Sequence, residues 1–303
     1  MNVDVFAREK HHQVHAQAIA KGLGVAVKDR SDQITADYVC VFSFGDLRVV
    51  AEIGKGIIFC EHGVGMFYNV VHPSYAGSLR NRENVVLRLS PNETHAEKER
   101  ETLECPVEVI GVPKLDRFAN RYWNFNRTKP TVAISFHFDC LVCPETRSSF
   151  SYFKDVIPEL KKHFNLIGHS HPRYASVLEP FYRKNKIRFV KDFEEVLEHA
   201  DVYCIDNSST IFEWCITQKP IVLLNPPFYR KEVEHKGNPR FWKHSGIAPL
   251  CERPEDLIDS IWEAINNHEK YVPKIREANK DVLTFTDGRC AERAVNAIIS
   301  RIQ

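Results

Sequence analysis

Residues 201–225 read DVYCIDNSSTIFEWCITQKPIVLLN. Val202 to Ile205 reads as a short buried strand. Ile211 to Gln218 reads as a helix carrying apolar Ile211, Phe212, Trp214, Cys215 and Ile216. Pro220 stops that helix, and Ile221 to Leu224 is a second buried strand. The stretch is a β-turn-α-turn-β unit, the building block of parallel sheets. The turn holds four polar residues, Asn207, Ser208, Ser209 and Thr210, where the strand hands over to the helix. Hydroxyls there cap orphan N–H groups, or join those N–H groups in holding a phosphate. The turn by itself leaves both readings open.

The same alternation extends in both directions. Upstream, VDVFA precedes a helical HHQVHAQAIAKGLG, DYVCVFSF precedes DLRVVAEIG, and GIIFCEHG, NVVLRLS with NETHAEKERETL, and VEVIG follow. Short apolar runs alternating with amphipathic ones predict a parallel sheet with helices on its faces. The pattern lapses over Gly111–Pro130, which reads as a linker. A second series begins at TVAISF, with a helix expected over Ser148–His163 and the strand FNLIGHSHP after it. Two domains are therefore expected, residues 1–125 and 126–303, the second closed by the helix RCAERAVNAIISRI. Ligands of such sheets bind at the carboxyl ends of the strands.

Composition sets the class. The 303 residues are 43% hydrophobic and 27% charged, ordinary for a globular chain, and the length favours two domains. A formal charge of +1 makes no demand for a polyanionic partner. Nine scattered cysteines, with Cys40, Cys60 and Cys204 inside apparent strands, fit a reduced compartment. No apolar run approaches the roughly 20 residues of a membrane span. The N-terminus has no signal-peptide pattern. A cytoplasmic protein is expected, free or peripheral to a membrane.

Two further strand ends carry candidate chemistry. In IIFCEHGVG, His62 follows a strand and is flanked by Gly63 and Gly65, which permit a tight turn and close ligand approach. An imidazole facing a cleft there suits general-base work; the alternative is a turn that contains a histidine. In LIGHSHPR, His169 and His171 end a strand, Pro172 stops it, and Arg173 adds a fixed charge. With no third and fourth ligand nearby, phosphate contacts fit this pair better than metal. Arg147, in PETRSS at a probable helix start, also suits an anion, and capping explains its serines equally well. Cys140 and Cys143 form one lone C-x-x-C, and the basic-aromatic loop FYRKEVEHKGNPRFWKH reads as solvated. Neither common phosphate-loop fingerprint occurs.

Taken in order, EHGVG, GVPKLD, GHSHPR, DNSSTIFEWCITQKPIVLL and TDGRCAERAVNAI resemble the CDP-glycerol glycerophosphotransferase family, the teichoic-acid primases and polymerases. The resemblance covers most of the chain. It implies a GT-B-like α/β fold, two Rossmann-like domains facing a cleft, and a metal-independent transferase without cofactor. A CDP- or UDP-linked donor would supply glycerol phosphate or a sugar to the hydroxyl of a surface glycan, a lipid-linked acceptor or another polymer. His62 is then the base, near Gly63 and Gly65. His171, Ser208, Ser209 and Thr210 then contact the donor's phosphates and Glu213 its ribose, with Arg173, Asn207 and Arg147 also expected to bind the donor. Lys114 stands where the family has arginine, Glu213 where its teichoic-acid members tend to have aspartate, and the loop after Asn225 departs from its pattern. A nucleotide-sugar epimerase, a nucleic-acid-base glycosyltransferase or a non-catalytic nucleotide-sugar sensor would share much of this pattern.

Overall fold

The computed structural model describes residues 2–60, 62–64, 84–121, 124–126, 128–139, 147–229 and 243–303. The chain divides into two compact units. Met1–Met66, Val70–Arg121 and Asn279–Gln303 form the first, and Phe67–Asn69 with Tyr122–Ala278 form the second. Each unit contains a six-stranded sheet in which every strand pairing is parallel.

In the first unit, β1 (Val3–Phe6), β2 (Val27–Lys28), β3 (Tyr38–Val41), β4 (Gly56–Cys60), β5 (Val85–Ser90) and β6 (Val107–Val109) lie in the order β2-β1-β3-β4-β5-β6. Its helices are α1 (Lys10–Leu23), α2 (Phe44–Glu52), α3 (Glu93–Thr102) and α10 (Cys290–Ile302). Successive strand residues point to opposite faces, so a sheet covered on both sides is apolar at nearly every position. Val39, Val41, Ile57 and Phe59 pack with Leu47 and Val50 of α2 on one face. Val5, Cys40, Ile58 and Leu87 pack with Ala16 and Ile19 of α1 and Ala294 and Ile298 of α10 on the other.

That last helix corrects the expected domain organisation. The helix predicted to close the second domain belongs to the first unit, and the division near the linker falls between Arg121 and Tyr122. The Asp116 carboxylate accepts the N–H groups of Cys290 and Ala291 at 2.9 and 2.7 Å, satisfying orphan donors at the start of α10. Asp287 and Arg293 pair beside it. The GVPKLD and TDGRC segments are thus bonded to each other, and both serve the first unit.

In the second unit, β7 (Thr131–Phe136), β8 (Asn165–Ser170), β9 (Arg188–Phe189), β10 (Val202–Ile205), β11 (Ile221–Leu224) and β12 (Leu250–Cys251) lie in the order β12-β11-β10-β7-β8-β9. The chain builds outward from β7 to β8 and β9, then returns to the other side of β7 with β10. Strand order therefore reverses between β7 and β10, where α/β sheets of this type bind ligands. Helices α4 (Phe150–Phe153), α5 (Ala175–Lys184), α6 (Phe193–His199), α7 (Thr210–Cys215) and α8 (Leu257–Asn266) belong to it, as does α9 (His268–Val282) up to Ala278. Tyr182 of α5 lies against Gly168 of β8, where a Cβ would stand 2.4 Å from the ring, and its hydroxyl donates to the Ile134 carbonyl at 2.8 Å.

The unit around Asn207–Thr210 forms as read: β10 and β11 pair in parallel, with Tyr203 opposite Ile221. Its helix stops at Cys215, three residues early, and the chain turns through Gln218 at φ 52°. The helix expected over Ser148–His163 is broken into α4 and a 3-10 turn at Ile157–Lys162. Pro158 has no N–H to continue the α-helical ladder.

Candidate active site

In the second unit the chemistry gathers at the reversal point. β8 ends at Ser170, and His171 begins a 3-10 turn, Pro172–Tyr174, as its cap. The His171 Nδ1 accepts the Arg173 N–H at 3.2 Å. An acceptor nitrogen in a neutral imidazole is unprotonated, so the proton sits on Nε2, which is a donor. Next to it, His137 follows β7. Its ring lies edge-on to His171 at 4.9 Å and stacks on Phe138 at 4.3 Å. Phe138 in turn lies 4.6 Å from His171, with the Arg173 guanidinium 5.3 Å from the Phe138 ring. The result is a cluster of two imidazoles, one phenyl ring and one guanidinium.

The turn after β10 adjoins the same strand. Ser208 is buried, and its Oγ accepts from the Thr210 N–H at 3.3 Å and the Thr210 hydroxyl at 2.9 Å. Thr210 Oγ1 also meets the Tyr203 hydroxyl at 2.9 Å. The Ser208 hydroxyl thus bonds within the turn, one residue ahead of the helix N-cap at Ser209. Ser209 occupies the helix N-cap, half-exposed and with no side-chain cap bond. Asn207 is buried, and Glu213 is 2% exposed within α7. Arg147 is exposed, and its carbonyl accepts the Tyr229 hydroxyl. His169 is set apart from His171: it is buried, and its Nδ1 meets the Ser135 hydroxyl at 2.9 Å.

The serines separate by test. Ser208→Ala removes these turn bonds and is expected to cost about 1 kcal/mol of stability, seen as a lower urea midpoint. Ser209→Ala leaves that midpoint in place and weakens nucleotide-donor affinity roughly tenfold, the loss of one hydrogen bond to a charged group. Equal donor affinity in both variants and the parent would return Ser209 to a structural role.

In the first unit, the exposed His62 follows β4, and Gly63 turns the chain at φ 82°, a region that favours glycine. The His62 Nδ1 lies 2.8 Å from the Phe42 carbonyl oxygen, after β3. A carbonyl only accepts, so Nδ1 carries the proton and Nε2 keeps its lone pair. The neutral His62 ring thus leaves an acceptor at Nε2, and the neutral His171 ring a donor. Three histidines of α1 surround His62, with ring centroids at 4.3 Å for His12 and 6.2 Å for both His11 and His15. Burial, reinforced by the charges around it, pushes the His12 imidazole down to about 2, and His15 well below its ordinary value. Both are neutral near pH 7. Lys114 is among the charges acting on them.

Gly65, Cys140 and Cys143 lie outside the described residues. Sequence reading passed over His137, Phe138 and the α1 histidines, and gave Asp206, which opens the DNSST motif, no role of its own. The signals were present: HFD directly after the strand TVAISF, and KHHQVH at a helix start.

A family model for CDP-glycerol:poly(glycerophosphate) glycerophosphotransferase matches residues 148–300, just over half of the chain. The chain belongs to that family. It is accordingly an enzyme of the glycerophosphotransferase and glycosyltransferase-like class, using a nucleotide-activated donor and a hydroxyl acceptor. No curated protein matches it. Among solved structures, the wall teichoic acid polymerase TagF matches with a TM-score of 0.71 and 14% identity, over 99% of this chain and 89% of that one. A putative UDP-N-acetylglucosamine 2-epimerase from Listeria monocytogenes matches at 0.63 and 14%, over 99% and 96%. The S. aureus MnaA-UDP structure matches at 0.62 and 13%, also over 99% and 96%. These likenesses establish a GT-B-like fold. Among the described residues, no helix is long and apolar enough to cross a membrane.

Proposed function

We propose that this family member transfers glycerol phosphate from CDP-glycerol to an acceptor hydroxyl. The acceptor oxygen attacks the phosphorus that bears glycerol, and the bond from that phosphorus to the CMP oxygen breaks. CMP leaves, and the acceptor's proton passes to the His62 Nε2. The His171 Nε2–H, the Arg173 guanidinium and the Ser209 hydroxyl carry the charge of the diphosphate, with Arg147, Asn207, Ser208 and Thr210 shaping the surface around it. Glu213 takes the donor ribose. The acceptor is polymeric or lipid-linked, and the enzyme works in the cytoplasm or at a membrane surface.

The observation that carries this reading is the pair of fixed tautomers. His62 offers a lone pair where its Nδ1–H is held by the Phe42 carbonyl. His171 offers an N–H where its Nδ1 is held by the Arg173 amide. Transfer to phosphorus needs one group of each kind, a base for the nucleophile and a donor for the developing charge. The test is turnover with CDP-glycerol, CDP-linked and UDP-linked sugars, each with and without acceptor and in excess EDTA. CMP release from CDP-glycerol that needs acceptor and survives EDTA is expected. Release of UDP from a UDP-sugar indicates glycosyl transfer instead, and conversion of a UDP-sugar without acceptor indicates an epimerase.

A further inference from the structure

The second unit contains a buried carboxylate to which neither the fold nor the transfer reaction, as described so far, gives a role. Asp206 directly follows β10, 4% exposed. Its Oδ1 accepts the N–H groups of His137 and Asn207, each at 2.8 Å. Its Oδ2 accepts the Ser149 N–H at 2.9 Å and the Ser149 hydroxyl at 3.3 Å, and the Tyr229 hydroxyl oxygen, whose proton goes to the Arg147 carbonyl, lies 3.5 Å away. Among the described residues no lysine or arginine pairs with it, so N–H and O–H dipoles alone hold the charge. Burying a carboxylate this way is costly. Burial pushes the carboxyl up to about 7, against the bonds from Ser149, His137 and Asn207.

Its partners share a location. His137 follows β7 and carries the ring that lies against His171 and Phe138. Asn207 opens the turn to Ser208 and Ser209. Ser149 starts α4, two residues from Arg147, whose carbonyl also holds Tyr229. We propose that Asp206 is a positioning residue for the donor site. Without touching the donor, its ionised carboxylate clamps the ends of β7 and β10 and the start of α4, so that His137, Phe138, His171 and the 207–210 turn form one surface. An ionised carboxylate suits this task because it only accepts. A protonated carboxyl, or an amide, has a hydrogen of its own that only the Ser149 and Tyr229 hydroxyls could accept, so it gives up an acceptor position on which the Ser149 N–H relies.

The other titratable groups that face Asp206 are His137 and the phenols of Tyr174, Tyr182, Tyr203 and Tyr229. Burial raises all four phenols, which stay neutral throughout the neutral range. Stability and binding then respond to acid in opposite directions. The folded state holds the Asp206 proton up to about pH 7, whereas the ordinary value is 3.8. This site therefore adds stability at low pH and loses it as pH rises through 7. Clamping by the carboxylate behaves in reverse and weakens as pH falls through 7.

The inference rests on the donor reading above, and the experiment separates the two. CDP-glycerol affinity is measured by calorimetry from pH 5.5 to 8.5 for the parent chain, Asp206→Asn and Ser149→Ala, with unfolding midpoints taken alongside. The parent is expected to bind, and to lose affinity below about pH 7 without losing stability. Asp206→Asn is expected to bind roughly tenfold or more weakly at pH 8, without that acid limb. Ser149→Ala loses a bond that favours the carboxylate, so its acid limb moves to higher pH, by about 0.5 unit. If Asp206→Asn does not fold, the Ser149→Ala shift decides alone. Parent-like affinity and pH profile in a folded Asp206→Asn overturn the inference, as does an unmoved limb in Ser149→Ala. A parent chain that binds no CDP-glycerol at any pH overturns the donor reading, and the inference with it.

Discussion

In the His62→Ala variant, kcat is expected to fall by roughly 10²–10⁴-fold, while affinity for CDP-glycerol is expected to stay within about twofold of the parent. The acceptor hydroxyl is a poor nucleophile until a base takes its proton. The Phe42 carbonyl, 2.8 Å from Nδ1, leaves the lone pair of His62 on Nε2 for that purpose. The neutral His12 ring, 4.3 Å away, packs against His62 without adding charge. His62→Gln keeps an amide in place of the ring but has no basic nitrogen, so its kcat is expected to match the alanine variant. Turnover is followed as CMP release, and affinity by calorimetry. Near-parent turnover in either variant removes His62 from the chemistry. A loss of donor affinity in proportion to rate would make it a binding residue.

The second large effect is at His171, where affinity and rate fall together. On the proposed reading His171→Ala removes an N–H to the donor's phosphates; a hydrogen bond to a charged group is worth roughly 1.5–3 kcal/mol, so a loss of about 10–100-fold in donor affinity is expected. Because negative charge builds on the leaving group, kcat falls as well. Two amides separate the functions of the ring. His171→Gln places an N–H near the position of Nε2, while His171→Asn places an acceptor near Nδ1, where the Arg173 amide donates at 3.2 Å. Donor affinity should recover further in the Gln variant than in the Asn variant. Better recovery with Asn would mean that His171 acts as a turn cap and not as a phosphate contact.

Much of this arrangement was readable in advance because it is local. The β10–α7–β11 unit is written in one run of 25 residues, with apolar strands, a helical apolar face and Pro220 as a stop. His62 and His171 each stand directly after a strand, and the carboxyl ends of parallel strands are where ligands collect. The Ser148–His163 helix failed on a local detail, Pro158, which the apolar spacing outweighed in the reading. Ser208 was read for a phosphate and for a cap at once, and both readings predict a hydroxyl at that place. Only the position of Thr210 N and Oγ1 around it separates them.

The sequence by itself determined two parallel α/β sheets and the strand ends that carry His62, His171 and Asn207–Thr210, since period-2 and period-3.6 apolar patterns need only neighbouring residues. It did not determine which sheet the last helix covers. An amphipathic stripe records that a helix has an apolar face, and only the seat of Ala294 and Ile298 beside α1, with Asp116 at the helix start, names the sheet. Nor did it determine the protonation of the two histidines. Each tautomer is set by one backbone group, the Phe42 carbonyl twenty residues before His62 and the Arg173 amide two residues after His171. Asp206 is the furthest from local reading. Its partners at 137 and 149 meet it only once β7, β10 and α4 are assembled, because a buried carboxylate takes its hydrogen bonds from whatever the fold brings within about 3 Å.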